Sequence, residues 1–181
     1  GERGADYADV LIARTREAAQ KGTLSITVGA SPEVFARIEP LLRCVGSDIT
    51  HCGGVGSGQV VKILNNMVLF QTVNALAEAL ALGRRAGVEP ALLFDALSKG
   101  SADSFALRNH GMKAMLPGQF PERAFSVEYA AKDNGYALEL GRETGVRLRG
   151  AELLREILDE ARRDGFGPAY WPVIAKVVDR G

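Results

Sequence analysis

Residues 53 to 66 read Gly53-Gly54-Val55-Gly56-Ser57-Gly58-Gln59-Val60-Val61-Lys62-Ile63-Leu64-Asn65-Asn66. A glycine cluster gives way here to a helical run whose second turn carries a Lys and two Asn in apolar surroundings. The stretch divides the chain. Before it the sequence reads as strands with one helix, and after it as helices alone.

Upstream, Tyr7 to Ala13, Leu24 to Val28 and Asp48 to Cys52 are short, rich in β-branched residues and bounded by Gly, Asp or Ser, the pattern of strands. Between the last two, Ser31 and Pro32 form a helix start, and Val34, Phe35, Ile38, Leu41 and Leu42 recur at helical spacing. The piece is β-β-α-β. So small a sheet has faces left to cover, and more of the same domain is expected upstream.

Downstream, Ser57 to Ala86 has no proline and many apolar positions, which predicts one helix of about 30 residues and about 45 Å. Its apolar residues run nearly all round, which places it in a bundle or at a subunit interface. Further helices are predicted at Pro90 to Ser98, Ser104 to Met115, Ser126 to Thr144, Gly150 to Arg163 and Pro168 to Asp179, punctuated by Gly and Pro. The expected fold is mainly α, a short β piece over 1–53 followed by an all-α domain over 54–181 built around one long helix.

The 181 residues, 46% apolar and 24% charged, suffice for one sizeable core or a little more. Twenty-two basic residues balance 22 acidic ones, so no global field favours nucleic acid or anionic lipid, and neither partner is expected. Cys44 and Cys52 show neither metal-ligand spacing nor a disulfide framework, as fits a reducing cytoplasm. The longest apolar run, Met67 to Leu82, is interrupted by Gln71, Asn74 and Glu78, so no membrane span is expected, and no signal peptide is recognised.

Glycines at a strand-to-helix junction let backbone approach a ligand closely, and free N–H groups at a helix start favour an anion. The spacing nearly matches a dinucleotide fingerprint, but residue 59 is Gln and no return strand with a ribose-binding acid follows. That reading is rejected for these glycines. Close packing is the plain alternative.

Lys62 and Asn66 lie four apart, so they share a helix face with Cβ atoms about 6 Å apart. Two readings stand. Lys62 can be a snorkelling surface residue. It can instead be a desolvated Lys whose pKa falls toward neutrality, exchanging a proton with a substrate oxygen while Asn66 holds that oxygen or a neighbouring carboxylate. His51, at a strand end, reads as hydrogen-bonded structure, His110 as surface, Asp103 or Ser104 as an N-cap, and Trp171 with Tyr170 as core.

The run Gly53 to Asn66 resembles the catalytic signature of the β-hydroxyacid dehydrogenase family, which includes 3-hydroxyisobutyrate dehydrogenase, tartronate semialdehyde reductase and, more distantly, 6-phosphogluconate dehydrogenase. Lys21 to Ala30 resembles the family's segment before its last strands, Phe35 to Leu42 the helix that follows, and Lys132-Asp133 its third motif. The resemblance implies a two-domain NAD- or NADP-dependent enzyme. Its Rossmann domain would be present here only as the strands over 1–53, followed by the all-α domain. The reaction would be hydride transfer between nicotinamide and a small β-hydroxyacid. Lys62 would then be the general acid/base, Asn66, Arg14, Thr15 and Gly58 would bind substrate, and Lys132 would lie on the nicotinamide side. The chain departs from the family in two places. No upstream Gly-rich fingerprint is present, so the chain alone is not expected to catalyse the reaction. Ala13-Arg14-Thr15 stands where many members have Ser-Gly-Gly; Arg14 can bind a carboxylate in bidentate fashion or be an exposed loop residue. A homodimer or homotetramer is expected from the apolar helix. The alternatives are a non-catalytic oligomerisation module and an imine reductase on the same scaffold.

Overall fold

The computed structural model describes residues 4–14 and 16–180. It divides into two compact units, Gly1–Asn65 and Asn66–Gly181.

The first unit holds a three-stranded sheet of order β1-β2-β3. β1 (Asp9–Ala13) runs antiparallel to β2 (Leu24–Gly29), and β2 runs parallel to β3 (Gly46–Gly53). The parallel pair requires a crossover. It is supplied by α2 (Pro32–Leu42), where the Ser31 hydroxyl accepts from the Val34 N–H at 3.3 Å and Pro32 occupies the first turn. In β2, Leu24, Ile26 and Val28 are buried while Ser25 and Thr27 between them are half-buried, the period-two pattern of a strand. These residues pack with Ala18, Ala30 and Val34, and with Phe35, Ile38, Leu42 and Ile49 at the margin. One element was not anticipated: α1 (Arg16–Gln20), a short helix between β1 and β2. Its run of helix formers ends at Gly22, whose φ of +65° suits glycine.

The long helix α3 (Ser57–Arg85) forms as its pattern predicts. By length and composition it could cross a membrane. In the second unit, however, its Phe70, Val73, Leu76, Ala77 and Leu80 are the spine of the core. Phe94 joins them from α4 (Pro90–Lys99), Val127 and Ala130 from α5 (Val127–Thr144), Leu154 and Leu158 from α6 (Arg149–Arg163), and Ile174 from α7 (Ile174–Val178). α5 starts on Ser126, whose hydroxyl accepts from the Tyr129 N–H, and ends on Gly145 in the left-handed region.

The structure changes three local expectations. Leu107–Met115 is π-helical rather than α-helical, with the Leu116 N–H donating five residues back to the Gly111 carbonyl. Gly111 there lies against the Phe94 ring, where a Cβ would come within 2.9 Å. The single helix expected over Pro168 to Asp179 is instead a short 3₁₀ turn (Trp171–Val173) followed by α7. Residues 169–171 use their backbone groups on the segment leading into α5: Val127 N–H donates to the Ala169 carbonyl, Tyr170 N–H to Pro121, and Trp171 N–H to Phe125. Finally, His110 is buried, not on the surface, because the π-helical segment carries it inward beside Trp171, 5.5 Å between ring centroids.

Candidate functional site

The glycine cluster joins β3 to α3, and its geometry is set by one acid. Asp9, at the start of β1, is a buried carboxylate. Its Oδ1 accepts from the Gly56 N–H at 2.6 Å and its Oδ2 from the Gln59 N–H at 2.9 Å. Charge-assisted bonds of this kind satisfy two donors that the first turn of a helix otherwise leaves open. Gly53 and Gly56 turn the chain with φ of +120° and +94°. Gly58 and Gly29 make room: a Cβ on Gly58 would sit 2.6 Å from Asp9 Oδ2 and 2.9 Å from the Gly29 N. The Thr27 hydroxyl donates to the Gly58 carbonyl at 3.2 Å. Gly58, expected at the substrate, is thus packed against Asp9 and β2.

A dinucleotide's pyrophosphate needs free backbone N–H groups. At this helix start Asp9 takes the Gly56 and Gln59 donors and adds a negative charge that opposes phosphate. The junction does not fit a pyrophosphate, in agreement with the rejected fingerprint.

One turn further along α3, Lys62 is half-buried and Asn66 is buried. In the second unit the Asn66 Nδ2 donates to Asp133 Oδ2 at 2.9 Å, and the same carboxylate's Oδ1 lies 3.2 Å from the Lys132 Nζ. Asp133 therefore joins the end of the α3 signature to the Lys-Asp pair of α5. Lys132 is half-exposed and its Nζ lies 5.3 Å from the ring centroid of Tyr129 and 5.5 Å from that of Tyr136. The hydrogen bond to Asp133 holds its pKa above the ordinary lysine value. Lys132 is a permanent cation at neutral pH, suited to binding rather than proton transfer.

Arg14 belongs to a different set of contacts. Its guanidinium donates to the Thr23 carbonyl at 2.8 Å and the Ser47 hydroxyl at 3.1 Å, and pairs with Asp48 at 2.8 Å. It straps the starts of β2 and β3 together. Thr15, the remaining expected substrate residue, lies outside the described residues. His51 is structural as expected, its Nε2 2.8 Å from the Ala30 carbonyl and its ring stacked on Phe35. Ser104, not Asp103, caps the following helix, accepting from the Leu107 N–H.

Sequence reasoning left Asp133 unassigned and missed Asp9 and the two tyrosines. Each had a signal. Asp9 is the one charged residue within its strand run, and Tyr129 and Tyr136 stand three before and four after Lys132, on its helix face.

Residues 56–173 match the family described as NAD-binding of NADP-dependent 3-hydroxyisobutyrate dehydrogenase, and residues 1–54 match the NAD binding domain of 6-phosphogluconate dehydrogenase. The chain belongs to this 3-hydroxyisobutyrate dehydrogenase family of NAD(P)-dependent proteins. It is 37% identical over 176 residues to 2-(hydroxymethyl)glutarate dehydrogenase from Eubacterium barkeri, covering 97% of this chain and 58% of that protein. It is 32% identical over 164 residues to 2-hydroxy-3-oxopropionate reductase from Escherichia coli K12, covering 91% and 56%. The chain thus spans somewhat over half the length of these relatives. The crystal structure of 3-hydroxyisobutyrate dehydrogenase from Salmonella typhimurium shares its fold, with a TM-score of 0.86 at 23% identity over 95% of this chain and 60% of that one. The expected fold, mainly α with a small sheet remnant of a Rossmann domain, agrees with these matches.

Proposed function

We propose that the protein carrying this chain is a NAD(P)-dependent dehydrogenase of small β-hydroxyacids, with Lys62 as its general acid/base. The observation that carries the reading is the Asp133 bridge, within the second unit, between Asn66 and Lys132, two residues singled out in sequence. The substrates in the relatives' names support the class: 2-(hydroxymethyl)glutarate, 2-hydroxy-3-oxopropionate and 3-hydroxyisobutyrate all carry a hydroxyl or carbonyl on the carbon β to a carboxylate.

A bound nicotinamide dinucleotide supplies the hydride acceptor or donor. The residues of this chain handle the proton and the placement. As a neutral amine Lys62 takes the proton of the substrate hydroxyl during oxidation; as an ammonium it returns one to the carbonyl oxygen during reduction. Asn66, held by Asp133, positions the substrate oxygen, and Lys132 holds the nicotinamide side. Arg14 is left out of the substrate set because Thr23, Ser47 and Asp48 hold its guanidinium. Val60, Val61, Leu64 and Val68 leave apolar surface of α3 exposed, which supports a homo-oligomer.

The test is a screen of the full-length protein with 3-hydroxyisobutyrate, 2-hydroxy-3-oxopropionate and 2-(hydroxymethyl)glutarate against NAD and NADP, together with Lys62→Ala. Loss of the acid/base is expected to lower kcat by about 100-fold or more with dinucleotide binding unchanged. Near-normal rates in Lys62→Ala with every active substrate would refute the assignment.

A further inference from the structure

We infer that Tyr129 and Tyr136 are positioning residues for Lys132, holding its ammonium ready for the nicotinamide end of the dinucleotide; the inference rests on the functional reading above. Positions three before and four after a helical residue share its face, so the two rings flank Lys132 along α5. The distances of 5.3 and 5.5 Å from Nζ to the ring centroids lie within cation–π range. Asp133, 3.2 Å away, supplies a third constraint.

The rings do not serve the core. Tyr129 is 57% and Tyr136 47% exposed, whereas Val127, Ala130 and Ala137 of the same helix are buried. Two exposed aromatic residues on one helix face are left without a packing explanation, and both approach the same cation. Phe125, with its ring centroid 5.9 Å from that of Tyr129, extends the aromatic surface.

A lysine has more rotamer freedom to lose than almost any other side chain, and losing it on contact with a ligand weakens binding. A lysine already confined by two rings and a carboxylate loses less. The tyrosines therefore act on dinucleotide affinity through Lys132 and leave the proton chemistry at Lys62 alone. The ring faces carry the effect, and the phenolic hydroxyls do not.

The test uses the full-length enzyme with Tyr129→Leu, Tyr136→Leu, the corresponding Phe variants, and Lys132→Ala, measuring Kd for NAD(H) and NADP(H) and the KM of the hydroxyacid. Each Leu variant is expected to weaken the preferred dinucleotide by about 2- to 5-fold, with hydroxyacid KM unchanged, and each Phe variant to bind within twofold of wild type. In the Lys132→Ala background the Leu substitutions should add nothing. Leu variants that bind like wild type, Phe variants as weak as Leu, or a Leu effect that persists without Lys132 would each overturn the inference while leaving the functional reading standing. Unchanged dinucleotide affinity in Lys132→Ala would instead remove Lys132 from the cofactor side, and the positioning role with it.

Discussion

Lowering the pH from 7.5 to 5 should destabilise the protein by about 2 kcal/mol through His110 alone. Burial pushes the His110 pKa from 6.5 down to about 4. Its Nδ1 lies 2.5 Å from the Tyr170 hydroxyl, and its buried Nε2 has no hydrogen-bond partner among the described residues. The folded state thus holds a neutral imidazole that the unfolded chain would protonate near pH 6.5. A depressed folded pKa means that the unfolded state binds the extra proton. The stability is fully present above about pH 6.5, falls as the pH drops, and stops falling below about pH 4. Over that whole window the loss is about 3 kcal/mol, and about 2 kcal/mol of it has gone by pH 5. Trp171 is the one tryptophan of this chain and its ring lies against His110, so its fluorescence reports unfolding of the surrounding core. Urea titrations at the two pH values should show a midpoint drop of about 1 M for the native sequence at an m-value of about 2 kcal/mol/M. The control is His110→Phe with Tyr170→Phe, which removes the titrating group without stranding the partly buried Tyr170 hydroxyl. If native and doubly substituted proteins lose equal stability between pH 7.5 and 5, the buried neutral His110 is not the cause and the reasoning fails.

Three further outcomes follow from the first unit. Gly58→Ala forces a methyl group against Asp9 and the Gly29 backbone, which should cost about 1–3 kcal/mol and outweigh the helix-propensity gain of about 1 kcal/mol; hydrogen exchange of the 54–65 segment would show it, and unchanged protection would contradict it. Asp9→Ala leaves the Gly56 and Gln59 N–H groups without their acceptor and should accelerate exchange in the same segment by at least 10-fold, whereas Asp9→Asn, with one oxygen to offer, should fall between. Arg14→Ala breaks a partly exposed strap and should cost about 1 kcal/mol or less in thermal unfolding, with the substrate KM unchanged; a large KM increase would return Arg14 to the substrate site.

Elements with a repeating pattern were legible in the sequence. The three strands, α2 and the 29-residue α3 follow from alternation, capping residues and helical spacing, all of which are local. The departures came from tertiary pairing. The stretch from Pro168 reads as a helix start, yet the backbone groups of residues 169–171 bond to the lead-in of α5, some 45 residues earlier in the chain. His110 sits in a polar stretch that reads as surface, and the π-helical segment that carries it inward has no sequence signature to set it apart from an α-helix. At the candidate site Lys62, Asn66 and Lys132 were singled out one by one, whereas Asp9, Tyr129 and Tyr136 and the connections among the residues were not. Asp133 beside Lys132 could equally have oriented that lysine or bonded a backbone N–H. Only the fold shows that it also holds Asn66, 67 positions away.

The glycine cluster shows why spacing alone cannot separate a ligand cradle from a packing joint. Both need backbone to approach another group closely, and both set that approach at the first turn of a helix. What differs is the group approached. Here it is the carboxylate of Asp9, which lies 47 residues before Gly56 and reaches the helix start only because β1 lies antiparallel to β2. The protein thus places its own anion where a nucleotide-binding helix would receive a phosphate. Gln59, whose N–H Asp9 holds, is three residues before Lys62 and on the same side of the helix. The carboxylate therefore fixes the turn from which Lys62 projects, and the glycines serve the proposed proton transfer by letting that acid in rather than by binding the cofactor.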